Sequence, residues 1–513
     1  MAVARVFSAQ SAVLGGDVIT IEADLSRGLH SFAVVGLAGK AVEEARDRVS
    51  AAIKNSGFPS PKSKNHKITI SLAPADLRKE GPLFDLPIAV AYLIAAGEVT
   101  ADLDGTLLLG ELALDGTLRG VRGILSCVRA GARAGYHAAI VPAENAREAA
   151  LIPDIAIIPA RTLREVVAHI DPSHPEHAPI AHAPQTPIEP SWEEGDTDFE
   201  DIHGQEAAKR GLTIAAAGRH NVLMAGPPGT GKTMLARAFR SILPPLCAEE
   251  ALDVTAIHSV AGTLRGAVLY TPPFRSPHHT ASHVSLVGGG AHPRPGEVTL
   301  AHRGVLFLDE LPEFERRSID ALRQPLEDRV VSISRVHGSM QFPADFILLA
   351  ALNPHRGVGE RAENGAREQG AHLRDALLET YKKKLSGPIL DRIDLYLEVP
   401  HVAYETLAAE RRGAGETARA RAAILAARAL QSARLSGRAA RTNAEMSARD
   451  MDETITLSHE VTDLLRTAAG KLNLSPRSYH RVIKVSRTIA DLAGAEHITP
   501  EHLLEALQYR VKF

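Results

Sequence analysis

Residues 226–233, Gly-Pro-Pro-Gly-Thr-Gly-Lys-Thr, follow a short apolar run and open a stretch of helical periodicity. A loop of this kind binds phosphate through its backbone. Gly226, Pro227, Pro228, Gly229, Thr230 and Gly231 leave little side-chain bulk, so successive N–H groups reach phosphate oxygens while the following helix adds its positive end. Lys232 is placed to neutralise the β and γ phosphates, and the Thr233 hydroxyl to hold Mg²⁺.

A second constellation lies 77 positions beyond Lys232. Residues 303–311, RGVLFLDEL, form an apolar run of buried-strand character that ends in Asp309 and Glu310. Two carboxylates at the carboxyl end of a strand stand where open α/β sheets bind ligands, so Asp309 is read as the partner of Mg²⁺ and Glu310 as the residue that polarises an attacking water. A further apolar run, DFILLAALNP at 345–354, ends in Asn353, where the γ-phosphate and that water are expected. Together these residues predict an ATP hydrolase that uses Mg²⁺.

The elements that must position them are the strands and helices of a multidomain chain. With 513 residues, 45% hydrophobic and 23% charged, the sequence has room for about three domains. Its net charge of −3 confines any nucleic-acid contact to local basic patches. Cys127 and Cys247 are too few for a disulfide framework, and the longest apolar run, 86–97, is short of a membrane span, so a cytoplasmic protein is expected. Six prolines in 171–196 predict a semi-extended, solvated linker, with its His174, His177 and His182 unassigned to metal. Before it, strand-like alternation at 17–25 and 66–74, helical segments near 40–55 and 86–96, and a hairpin turning at Asp115-Gly116 predict an α/β or α+β domain. From about 401 onward the pattern is helical, with nine arginines against four glutamates in 401–449; a nucleic-acid face and a solvated helix surface explain that equally well.

The N-terminal stretches SLAPADLRKEGPLFDLPIAV and LGELALDGTLRGVRGIL resemble the Lon protease domain, of the ribosomal S5 domain 2-like fold. That family's nucleophilic serine and lysine have no counterpart here. The corresponding positions read Gly81-Pro82-Leu83-Phe84-Asp85 and Gly123-Ile124-Leu125, so no peptidase activity is expected.

With GPPGTGKT, FRSPHHTASHVSLVGGGAHPRPGEVTLAHRGVLFLDELPEF, LSGPILDRIDL and LSPRSYHRVIKVSRTIADLAG in order, the chain resembles the ComM/YifB family of magnesium-chelatase-like AAA+ ATPases over nearly its whole length. The resemblance implies a Lon-like non-catalytic domain at 1–170, a linker at 171–197, a P-loop AAA+ α/β/α core at 198–400 and a C-terminal α-helical lid at 401–513. It makes Asn353 the sensor-1 residue, Arg392 an arginine finger acting on a neighbouring subunit's nucleotide, and Arg477 the sensor-2 residue that contacts nucleotide, with Arg481 and Lys484 on the same helical face read as a solvated stripe. It also implies a ring hexamer that translocates on single-stranded and branched DNA and migrates joint molecules during transformation, with no membrane partner. A porphyrin-chelatase motor and a protein-remodelling ATPase are the alternatives.

Many relatives carry cysteine pairs after the sensor-1 Asn-Pro. The present sequence has none there, and His355 and His372 are too few for a closed tetrahedral site, so no structural zinc is expected. Residues 274–297, with four histidines, four glycines and three prolines, fall between the two halves of the phosphate site. Arg275, Arg294 and Gly288-Gly289-Gly290 suit a flexible element that meets backbone phosphates without reading sequence. His279 and His283 have i, i+4 spacing, but Pro277 opposes the helix a metal pair would need.

Overall fold

In β2 (Gly16–Arg27) alternate side chains turn inward, with Ile19, Ile21, Ala23 and Leu25 all buried, and β1 (Ala4–Ser11) keeps the same period over Ala4, Val6 and Ser8 before Ala9 is buried as well. That period of two builds an antiparallel pair running Ala4 opposite Ala23 to Ser11 opposite Gly16. The structure is a computed structural model and describes residues 3–37, 39–63, 65–192, 197–290, 294–335, 338–353, 387–402 and 415–510. His355 and His372 lie outside these residues. The chain divides into two compact units, Met1–Glu189 with Ala248–Leu269, and Pro190–Cys247 with Tyr270–Phe513.

The first unit adds β3 (Ser31–Val35), β4 (His66–Ala73), β5 (Thr106–Leu108), the short hairpin of β6 (Glu111–Leu112) and β7 (Leu118–Arg119), β8 (Ala138–Pro142) and β9 (Ala156–Ala160). Its seven-stranded sheet has the order β3-β4-β2-β1-β5-β8-β9. Helix Asp85–Ala95, apolar nearly all round, is buried against β1 and β2. The hairpin turns where expected: Asp115 Oδ1 accepts from Thr117 N at 2.9 Å, and Gly116 takes a φ of 89°. At the positions that resemble the protease nucleophile and base, Leu83, Phe84, Ile124 and Leu125 are buried apolar packing. Asp85 is buried too, paired with Arg48 at 2.9 and 3.0 Å and accepting from Leu112 N at 3.2 Å.

Helix Ala248–Ala261, which falls inside the 198–400 span of the sequence, packs in this first unit. Ser259 Oγ accepts from Gly123 N at 2.9 Å and donates to Glu148 Oε1 at 2.5 Å, while Arg129 pairs with Asp253 at 2.8 Å. The proline-rich stretch is extended and largely exposed, as expected, but its backbone is pinned to the first unit at intervals. Ala178 N donates to Ala168 O, Ala183 N to Ile157 O and Thr186 N to Ala150 O, at 2.7 to 3.0 Å. Its neighbouring histidine is a hydrogen-bond partner of the strap itself: His169 Nδ1 accepts from Ile180 N at 2.9 Å. Proline removes the donor only at its own position, so the residues between prolines still pair with the surface.

The second unit carries a parallel sheet in the order β11-β14-β17-β10-β18, formed by β10 (Val222–Ala225), β11 (Phe274–Arg275), β14 (Val305–Leu308), β17 (Ile347–Leu352) and β18 (Leu395–Glu398). Two short antiparallel pairs accompany it, β12 (Gly288–Gly289) with β13 (Arg294–Pro295) and β15 (Val330–Arg335) with β16 (Gly338–Pro343). Strands β10, β14 and β17 are buried along their length, as sheets covered on both faces require. Helix Glu206–Gly218 lies against β18 so closely that a Cβ on Gly211 would stand 2.3 Å from a Leu397 methyl. Among the described residues from Glu416 onward stand the helices Glu416–Arg434, Ala448–Thr454, His459–Leu472, Pro476–Leu492 and Pro500–Gln508, and no helix among the described residues is long and apolar enough to cross a membrane.

Candidate nucleotide site

Strand register brings the sequence motifs to one edge. Ala225 pairs with Leu352 and Leu308 with Ala350, so the residues that follow β10, β14 and β17 all emerge at the carboxyl end of the sheet. These are Gly226 onward, Asp309-Glu310 and Asn353. The loop after β10 needs its glycines: Gly229 and Gly231 have φ of 79° and 88°, and a Cβ on Gly226 would lie 2.1 Å from the Val399 carbonyl oxygen. Thr230 Oγ1 donates to Pro227 O at 2.9 Å and so closes the turn.

Lys232 opens helix Lys232–Ser241 and its Nζ donates to the carbonyls of Gly226 and Pro227, both at 2.7 Å. Burial pulls its ammonium below the ordinary lysine value, against the favourable charges of Asp309 and Glu310. One residue on, Thr233 Oγ1 donates to Asp309 Oδ2 at 2.8 Å. A hydroxyl and a carboxylate in contact are the hard oxygen donors that Mg²⁺ accepts from protein when phosphate and water complete its shell, so Thr233 and Asp309 fit the ion. Glu310 takes a left-handed backbone with φ of 51°, a costly conformation for a non-glycine residue, and its Oε1 accepts from Asn353 Nδ2 at 3.2 Å. A carboxylate oriented by an amide at a phosphate edge is suited to hold and polarise water.

Sequence reasoning passed over Gln205. Its Nε2 donates to Pro400 O at 2.7 Å and Thr230 O at 3.4 Å, tying the phosphate loop to the end of β18. Its left-handed backbone, φ 60°, just before a helix is the local signal.

Arg392 and Arg477 come together, but at the other edge. They line a cavity of about 520 Å³ with Arg219, Asn221, Asp345 and Asp394, residues that precede β10, β17 and β18. Strand β10 alone spans four residues, or roughly 13 Å at 3.3 Å each, so neither arginine lies beside Lys232 within one chain. Instead both meet Glu327, Arg477 Nη2 at 2.6 Å from Oε1 and Arg392 in direct ion-pair contact with the same oxygen. Arg481 and Lys484 are half-buried and donate to the carbonyls of Ile393 and Ala444, which corrects the solvated stripe. Beneath them Asp345 is held by Arg303 at 2.6 Å and Arg219 at 3.2 Å, with Arg329 at 4.0 Å.

Of the two arginines expected to meet DNA, Arg275 is bound by Glu297 through two contacts of 2.6 and 2.9 Å, while Arg294 is exposed on β13. His283 starts a five-residue helix and His279 precedes it, stacked on His278 at 4.1 Å between ring centroids. Among the described residues no cluster of three histidine, cysteine or acidic side chains is arranged to hold a metal.

A five-stranded parallel sheet with a phosphate loop after one inner strand, an acidic pair after another and an amide after the strand between them defines the class of P-loop AAA+ ATPases. Family comparison agrees along the chain: residues 198–407 match magnesium chelatase, subunit ChlI, residues 21–145 match subunit ChlI of Mg-chelatase, and 414–510 its C-terminal region. The chain is 44% identical to the uncharacterized protein YifB of Salmonella typhimurium, over 96% of its own length and 94% of that protein. It is 42% identical to the competence protein ComM of Haemophilus influenzae, over 99% and 98%. A magnesium-chelatase 67 kDa subunit of Heliobacterium mobile is 28% identical over 39% of this chain and 34% of its own. The chain belongs to the ComM/YifB family of magnesium-chelatase-like AAA+ ATPases.

Proposed function

We propose that the chain is one subunit of a cytoplasmic ring hexamer that hydrolyses ATP with Mg²⁺ to move along single-stranded and branched DNA, migrating recombination joints during natural transformation. The observation that carries the ring is the separation of the site into two halves. Lys232, Thr233, Asp309, Glu310 and Asn353 occupy the carboxyl edge of the sheet, and Arg392 and Arg477 the amino edge. Head-to-tail packing of identical subunits sets the amino edge of one against the carboxyl edge of the next, and a closed rotation makes a ring.

In that arrangement the loop 226–231 binds phosphates through its N–H groups and Lys232 offsets their charge. Thr233 and Asp309 hold Mg²⁺, which supplies electrophilic activation of the γ-phosphoryl group. Glu310, oriented by Asn353, holds the attacking water and accepts its proton. Arg392 and Arg477 of the adjoining subunit stabilise the charge that develops on the equatorial oxygens. The direction of DNA as substrate rests on the relative whose name is a competence protein and on exposed Arg294.

A joint-molecule assay on three- and four-stranded DNA tests this, with wild type against Glu310→Gln. Branch movement by the wild type alone is expected; ATPase indifferent to DNA with no movement sinks the motor reading. A protein-remodelling motor is the second reading, favoured by Leu29, Val35 and Leu37, which are exposed around edge strand β3. It predicts hydrolysis stimulated by a protein partner and not by DNA.

A further inference from the structure

Glu327 sits in the short helix Arg323–Asp328, on an element that carries none of the recognised motifs. Its single oxygen Oε1 serves two guanidinium groups, Nη2 of Arg477 at 2.6 Å and Nη2 of Arg392. The three residues come from three separate elements. Arg392 follows helix Gly387–Leu390, and Arg477 belongs to helix Pro476–Leu492. The Arg392 side chain is only 7% exposed, and the half-exposed Arg477 adds a like charge beside it. Two cations so close repel unless an anion stands between them. The hydrogen bond from Arg477, aided by Arg392, holds the Glu327 carboxyl below its ordinary value and so ionised near neutrality.

The geometry points to Glu327 as a positioning residue: its carboxylate holds Arg392 and Arg477 converged on one oxygen, ready for the neighbouring subunit's terminal phosphate. This rests on the reading of the two arginines as acting across the subunit boundary. Glu327 itself touches no phosphate. Its effect passes through the pair, because without a bridging charge Arg477 is free to swing into solvent while Arg392 stays buried.

Steady-state ATP hydrolysis by the assembled full-length protein tests it, using Glu327→Gln and Glu327→Asp in the wild-type and Arg392→Ala backgrounds. Glu327→Gln should lower kcat roughly tenfold with little change in KM, since misplaced groups cost the transition state most. Glu327→Asp, which keeps the charge, should recover part of the loss. In the Arg392→Ala background, Glu327→Gln should cost little more, because both changes disable one unit. An unchanged kcat in Glu327→Gln overturns the inference, as does an undiminished tenfold loss in the Arg392→Ala background. Thermal unfolding of each variant separates this from loss of fold; if Glu327→Gln is not folded, the Asp variant decides, a lowered kcat at unchanged KM that vanishes in the Arg392→Ala background supporting positioning and full wild-type kcat overturning it. If Arg392→Ala alone leaves turnover intact, the cross-subunit reading itself fails, a result distinct from failure of Glu327.

Discussion

Thr233 Oγ1 and Asp309 Oδ2, 76 residues apart in the chain, are hydrogen-bonded at 2.8 Å at the carboxyl edge of the parallel sheet. A helix start and a strand end thus present two oxygens to one point, which is the proposed seat of the divalent cation. Thr233→Val keeps the shape of the side chain and removes the hydroxyl. The expected outcome is a loss of hydrolysis of about 10²-fold, partly recovered at high Mg²⁺. Titration of ATPase rate against Mg²⁺ checks it, and an unshifted half-saturation point counts against the assignment.

Arg392→Ala and Glu310→Gln remove opposite halves of one proposed site. Each alone should bind ATP and turn over about 10³-fold more slowly, as the loss of an arginine finger or of a water-holding carboxylate does. Mixed in one ring, the two variants form some interfaces with both halves intact, so activity should return. No recovery across mixing ratios would show that the arginine acts within its own subunit.

Asp345 anchors three arginines at the amino-edge cavity. Burial alone would raise its carboxyl, but Arg219, Arg303 and Arg329 outweigh that and hold it well below the usual carboxylate range. A depressed carboxylate contributes stability above its unfolded value of about 3.9, and that contribution is lost as pH falls from there towards the folded value. Asp345→Asn leaves buried cations short of an anion and should cost about 3 kcal/mol. Denaturant unfolding should show a constant gap between wild type and variant from about pH 5 to 8, narrowing below about pH 4. A gap that widens in acid contradicts the charge network.

Arg275 and Arg294 should now behave differently. Arg294→Ala is expected to weaken DNA binding uniformly across sequences and to reduce the slope of log affinity against log salt by about one. Arg275→Ala strands Glu297 instead, so the expected effect is a lower unfolding midpoint with the salt slope intact. Binding isotherms at several salt concentrations distinguish the two, and a matching slope change in both variants would restore Arg275 as a phosphate contact.

The phosphate loop, the Asp309-Glu310 pair and Asn353 were legible in the sequence because each depends on a short local pattern. An apolar strand that ends in glycines, acids or an amide has only one way to present them in a parallel sheet, at its carboxyl edge. The hairpin at Asp115-Gly116 was legible for the same reason, its turn being closed by neighbours two residues apart. Motif resemblance likewise singled out Arg392 and Arg477 as functional, but no spacing says which edge they occupy or that Glu327 joins them. That depends on how helices far apart in sequence pack on the sheet. The same holds for helix Ala248–Ala261, whose Ser259 and Asp253 find partners more than 100 positions away in the first unit, and for Glu297, which claims Arg275. Sequence alone determined which residues meet at the candidate phosphate site, since backbone geometry and residue type act locally. Only the tertiary structure decided that Arg392 and Arg477 lie together at the opposite edge, because long-range packing chooses the partners of a long, charged side chain.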